Sequence, residues 1–131
     1  MECFYRVSTK VLLVDETLSD KEFVVLKNSK GEYELPGGGM EHGESIALSI
    51  EREVEEELEI KIKVEKDSLA PIFFDAYKSR SHDIWVAFVL YEIKANNLEG
   101  FEKLTFEKIV SDKKENYVPY LWNLALKKAA V

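Results

Sequence analysis

Between Glu51 and Glu59 six of nine residues are glutamate, and a glycine-rich stretch, Pro36-Gly37-Gly38-Gly39, lies upstream with eleven residues between. The combination restricts what the chain can fold into. Ala47, Ile50, Val54 and Leu58 recur at spacings of three and four, so the segment predicts an amphipathic helix over Ser45–Leu58, with Ser45 as its N-cap. Three i,i+4 pairs (51/55, 53/57, 55/59) place like charges one turn apart, each costing about 0.2–0.5 kcal/mol on an exposed helix. A solvated acidic face would explain a generic glutamate run. Here Glu53, Glu56 and Glu57 share one face beside the apolar stripe, next to a loop whose glycines allow backbone to approach a ligand closely. Clustered carboxylates without intervening histidine or cysteine suit a hard cation such as magnesium, which bridges carboxylates to phosphates. His42 and His82 are far apart in sequence, which argues against zinc.

The charge balance points the same way. With 25 acids against 18 basic residues and a net charge of −7, the chain does not attract a nucleic-acid polymer through its overall field. A phosphate-bearing substrate therefore needs local positive charge, which a bound divalent cation supplies. Cys3, the single cysteine, has no partner for an internal disulfide and no activating context. The longest nonpolar stretch, Ile84–Tyr91, is too short for a membrane helix, and no apolar leader is visible at the N-terminus, so the sequence reads as cytoplasmic.

Around the central helix the expected elements are mainly strands: Phe4–Val14, Phe23–Leu26, Tyr33–Leu35, Lys61–Val64, Ile72–Tyr77 and Asp83–Ile93. Turn chemistry occupies Asp15–Lys21, Asn28–Gly31 reads as a hairpin turn, Pro36–Gly39 as a loop, and Tyr117–Ala130 as a closing helix. With no repeat or linker, this predicts one domain over residues 1–131. Its class is α+β, a mixed sheet packed between helices without regular βαβ alternation.

The spacing resembles a named signature. The Nudix box reads G-x5-E-x7-R-E-U-x-E-E-x-G-U, with U a bulky aliphatic residue. Gly38, Glu44, Arg52, Glu53, Val54, Glu56, Glu57 and Ile60 occupy its fixed positions, and Leu35-Pro36-Gly37-Gly38-Gly39 resembles the usual approach to it. One position departs: Glu59 stands where the box has glycine. A glycine there ends the helix in a left-handed conformation, so a longer or differently terminated helix is expected here.

The resemblance implies a MutT-like Nudix hydrolase with an α/β/α sandwich fold, cleaving a nucleoside diphosphate linked to another moiety with Mg2+, or Mn2+ in its place. It implies metal ligation by Glu53, Glu56 and Glu57 with a backbone carbonyl of Gly37 or Gly38, and a base among these glutamates, Glu53 by preference. Arg52 would orient a glutamate and close the loop by pairing with Glu44. A further acid from a late loop would be Glu99, with Glu102 as the second candidate. Gly38 and Gly39 would lie against the substrate, and Arg80, Lys78 or His42 could hold a phosphate. Tyr77 stands about where dinucleoside polyphosphate hydrolases of the family carry a base-stacking tyrosine. Trp85, Phe4 and Trp122 are further candidates for stacking, although core packing explains each as well. Asp75 and Ala76 stand where ADP-ribose-cleaving members carry a proline, and no coenzyme A or NADH motif is present, so nucleoside triphosphates remain open as substrates. A nucleotide-sensing module without catalysis is the alternative, and a homodimer is compatible with the family's habits.

Overall fold

The structure, a computed structural model, describes residues 4–15, 21–80 and 83–129. Cys3, His82 and most of the turn expected at Asp15–Lys21 lie outside the described residues. The chain forms two compact units, one of residues up to Leu12 together with Pro36–Ile93, the other of Leu13–Leu35 and the residues from Lys94 on.

The first unit holds a four-stranded sheet in the order β5-β1-β7-β6, built from β1 (Tyr5–Asp15), β5 (Gly37–Gly39), β6 (Pro71–Lys78) and β7 (Trp85–Ala95). β5 runs antiparallel to β1 and β6 antiparallel to β7. The rings of Tyr5 and Trp85, each first in its strand, lie 6.2 Å apart, so β1 and β7 enter the sheet at the same end and the sheet is mixed. Helix α1 (Ile46–Leu58) buries the predicted stripe of Ala47, Ile50, Val54 and Leu58. The hydroxyls of Ser49 on α1 and Thr9 on β1 meet at 3.2 Å in a buried contact that fixes the helix on the sheet.

The second unit contains β2 (Phe23–Val24) paired with β8 (Lys103–Leu104), β3 (Leu26–Lys27) paired with β4 (Tyr33–Glu34), and helices α2 (Phe106–Val110) and α3 (Pro119–Ala129). The expected hairpin is present. The Asn28 side chain accepts from the N–H groups of Lys30 and Glu32, and Gly31 takes φ +78° to close the turn.

Several expectations need correction. The glycine stretch is a strand rather than a loop: Gly37, Gly38 and Gly39 pair with Lys10, Thr9 and Ser8. The strand expected over Phe23–Leu26 is two short strands with different partners, broken at Val25, whose N–H donates to the Glu102 carbonyl. Lys61–Val64 forms no strand; the Val64 N–H is satisfied by the Glu51 carboxylate at 2.7 Å instead of a ladder. β7 begins at Trp85 because Asp83, at φ 53°, turns the chain just before it. α3 begins at Pro119, a residue preorganised for a helix's first turn, while Tyr117 bridges to Tyr33. α2 and β8 were not anticipated, being too short to show a period.

Candidate active site

The site is built where α1 meets β5. Gly37 sits at φ +129°, and a Cβ there would fall 2.0 Å from the Thr9 carbonyl oxygen, so the backbones of β5 and β1 approach as only glycine permits. Its N–H donates to Glu57 Oε1 at 2.7 Å. At Gly38 an added Cβ would fall 2.7 Å from the carboxyl carbon and both oxygens of Glu53, so this carboxylate lies flat over bare backbone. The strand thus carries two of the three candidate glutamates, one on an N–H and one on a Cα.

Arg52 organises the rest. Its Nε donates to Glu44 Oε2 at 2.7 Å and its Nη2 to Glu44 Oε1 at 2.9 Å, a bidentate pair of the strong, directional kind. Nη2 also reaches the Gly39 carbonyl at 3.1 Å, and Nη1 donates to Glu53 Oε1 at 2.9 Å and to Glu56 Oε2 at 3.3 Å. One guanidinium therefore ties the loop to β5 and fixes two glutamates. Glu44 and Glu53 are well shielded, with side chains 11% and 13% exposed, whereas Glu56 is 58% exposed and open to solvent. The hydrogen bonds from Arg52 and, second, from the Glu41 N–H hold the Glu44 carboxyl down at about 2. The same pairing with Glu44 raises the Arg52 pKa, so this cation stays charged.

The helix end is also a correction. Glu59 takes the left-handed conformation, φ 58° and ψ 30°, and its N–H donates to the Glu55 carbonyl. The helix therefore ends as a glycine would end it, with a side chain bearing the strain.

The donor set suits a hard divalent cation: carboxylate oxygens of Glu53, Glu56 and Glu57 beside backbone carbonyls, free of nitrogen and sulfur. Among the described residues no three acidic, His or Cys side chains converge as a ready cage. Magnesium fits such a place through one or two carboxylates, its own waters and substrate phosphates.

The remaining candidates are dispersed. Tyr77 is half-buried on β6, its ring 5.8 Å from that of Phe88. Arg80 and His42 are exposed, and Lys78 is paired with Asp83 at 3.0 Å. Phe4 and Trp85 are exposed at 80% and 47%, whereas Trp122 packs near Tyr117. Glu99 is exposed in the second unit. There Glu102 accepts the Tyr33 hydroxyl, which pushes the Tyr33 pKa up to about 12. The sequence reading missed three supports: the Thr9–Ser49 contact, the Glu51 bond to Val64, and the Arg6 guanidinium lying against Gly39. None carries a local signal, because each joins residues distant along the chain.

Comparison with known proteins agrees with this arrangement. The family model described as NUDIX domain matches residues 4–119. A MutT protein from Methanosarcina mazei Go1 superposes with a TM-score of 0.71 at 20% identity, covering 98% of this chain and 94% of that one. A MutT Nudix hydrolase from Burkholderia pseudomallei gives 0.67 at 17% identity, covering 95% and 97%. The C. elegans Ap4A hydrolase gives 0.57 at 15% identity, covering 98% and 100%. No curated protein matches the chain significantly. The fold is thus α+β, a mixed sheet with three α-helices among the described residues, and it matches these structures. With the family model spanning nearly all of the described chain, the protein belongs to the Nudix family of pyrophosphohydrolases.

Proposed function

We propose that this enzyme uses Mg2+ to hydrolyse a phosphoanhydride bond in a nucleoside diphosphate linked to another moiety. The observation that carries this reading is the Arg52 clamp, which holds Glu44, Glu53, Glu56 and the Gly39 carbonyl at once. Bound cation supplies charge neutralisation at the diphosphate and a lowered pKa for attacking water.

The chain's own residues supply the positioning. Glu53 Oε1 is engaged by Arg52, leaving Oε2 over Gly38 to take the proton of the attacking water. Water oxygen then bonds to phosphorus as the anhydride P–O bond breaks, and the leaving phosphate departs. Glu57, fixed by the Gly37 N–H, and solvent-open Glu56 serve as cation ligands, together with the Gly37 carbonyl. Gly38 and Gly39 give the substrate close access to backbone. Arg80 is the proposed phosphate contact.

Nucleoside triphosphates are the first substrate class. Dinucleoside polyphosphates are the second, supported by the position of half-buried Tyr77 on β6 and by likeness to the C. elegans enzyme. We place the chain as one functional domain in the cytoplasm, noting only that no helix among the described residues is long and apolar enough to cross a membrane. Product release from normal and oxidised triphosphates, dinucleoside polyphosphates, ADP-ribose and nucleotide sugars tests the reading. Turnover that requires magnesium is expected. Saturable nucleotide binding without turnover on any compound points to the sensing module.

A further inference from the structure

Two side chains meet β5 from opposite faces. In the β1–β5 pairing Thr9 stands opposite Gly38 and Ser8 opposite Gly39. Alternation therefore turns the open Cβ position of Gly38 to one face of the sheet and that of Gly39 to the other. The Glu53 carboxylate occupies the first position, on the face where Ser49 of α1 meets Thr9. The Arg6 guanidinium occupies the second: a Cβ on Gly39 would fall 2.5 Å from its Nε and 2.6 Å from its Nη2. Arg6 precedes Ser8 by two positions on β1 and so shares its face. A strand of bare glycines, Gly37–Gly39, at the edge of the described sheet, is all that separates the acidic side of the site from this cation.

The site has need of such a cation. Arg52 directs every N–H of its guanidinium at the protein: Nε at Glu44, Nη2 at Glu44 and the Gly39 carbonyl, Nη1 at Glu53 and Glu56. It has no donor left for a substrate. The glutamates around it and the net charge of −7 both repel a polyphosphate. Arg6 differs from Arg52 in each respect. It is exposed, and among the described residues no carboxylate pairs with it. It lies against bare backbone instead of reaching one of the nearby glutamates, which leaves its fork open to an anion. A guanidinium stays charged and its planar donors match two oxygens of one phosphate.

We propose that Arg6 binds a phosphate of the substrate from the face opposite Glu53. A diphosphate then lies across the glycines of β5, one phosphate toward Arg6 and the next toward the α1 glutamates. The inference rests on the pyrophosphohydrolase reading of the site and adds to it a substrate contact from β1, outside the box. It also accounts for the third glycine, since a side chain at Gly39 would displace the guanidinium.

Calorimetric titration with the methylene-bridged diphosphates of adenosine and guanosine, which resist hydrolysis, tests the contact apart from turnover. With magnesium present, the wild type is expected to bind at least one of them. Arg6→Ala and Arg6→Gln are each expected to weaken that binding about tenfold or more. Arg6→Lys is expected to lose less, because the charge remains while the fork is gone. Lys63→Ala removes an exposed charge elsewhere on the same unit and is expected to bind as the wild type does. The Nε–H proton resonance of Arg6, identified by its loss in Arg6→Lys, is expected to shift as the analogue is added. Affinity within about twofold of the wild type in both Arg6→Ala and Arg6→Gln, shown by melting curves to be folded, overturns the proposal and leaves the hydrolase reading standing. So does an unmoved Arg6 resonance in the bound wild type, or an equal loss in Lys63→Ala. A wild type that neither binds these analogues nor turns over any nucleotide brings down the hydrolase reading, and this contact with it.

Discussion

Glu59 holds a left-handed conformation that L side chains adopt at a cost of about 1–2 kcal/mol. Glu59→Gly removes this strain but adds backbone freedom to the unfolded chain, so a net gain of roughly 0.5–1 kcal/mol is expected, a rise in Tm of a few degrees. An unchanged or lower Tm would contradict it. Glu44 answers to pH instead. Its folded pKa, about 2, lies below the ordinary glutamate value of 4.5, so its contribution is complete above 4.5 and is lost as pH falls through the folded value. Amide exchange in the loop preceding α1 is expected to quicken between those limits, and Glu44→Gln to show the fast exchange already at neutral pH. Arg52→Lys keeps the charge but loses the bidentate fork. A fall in kcat of at least tenfold with little change in Tm is expected, since the guanidinium positions Glu53 and Glu56 as well as tying down the loop. At this scale the sequence was informative. The Arg52–Glu44 pair followed from the motif, whereas the conformation of Glu59 did not, because helix termination depends on how the following chain packs.

Among the elements, α1 and β5 form the platform. Two adjacent glycines on β5 are expected to fail differently. Gly37→Ala drives a Cβ into the Thr9 carbonyl, at a φ that L residues rarely adopt, so a loss of about 3 kcal/mol or more is expected in denaturant unfolding. For Gly38→Ala the three atoms nearest the new Cβ all belong to the movable end of Glu53. Stability is expected to hold within about 1 kcal/mol while kcat falls by about two orders of magnitude, because the carboxylate must leave its seat. Equal effects of the two changes on Tm would contradict this division. Helix α1 was legible because its apolar period and Ser45 cap are local signals, and the Ser45 hydroxyl accepts from the Leu48 N–H as anticipated. β5 was not legible, since glycine has no strand propensity and the strand exists only because β1 supplies a partner. The reverse error occurred at Lys61–Val64, where alternation suggested a strand but Glu51 supplied the backbone partner.

At the scale of the molecule, an α+β fold with an acidic charge balance concentrates glutamates on one helix and reads them against a glycine strand. The box pointed to the family, and the apolar pattern placed strands on both sides of α1, but not their order in the sheet. The substrate did not emerge, because the strands and loops outside the box carry aromatics whose exposure only three dimensions reveal: Trp85 is open while Trp122 packs near Tyr117. The proposed enzyme is a magnesium-dependent hydrolase organised by Arg52 and the α1 glutamates. Its most direct test is nucleotide product release with and without magnesium, for the wild type and for Glu56→Gln and Glu57→Gln. The expected result is turnover only with magnesium, reduced at least 100-fold in both variants while their melting temperatures stay near the wild type's. Turnover that persists without a divalent cation, or that survives in both folded variants, would contradict it.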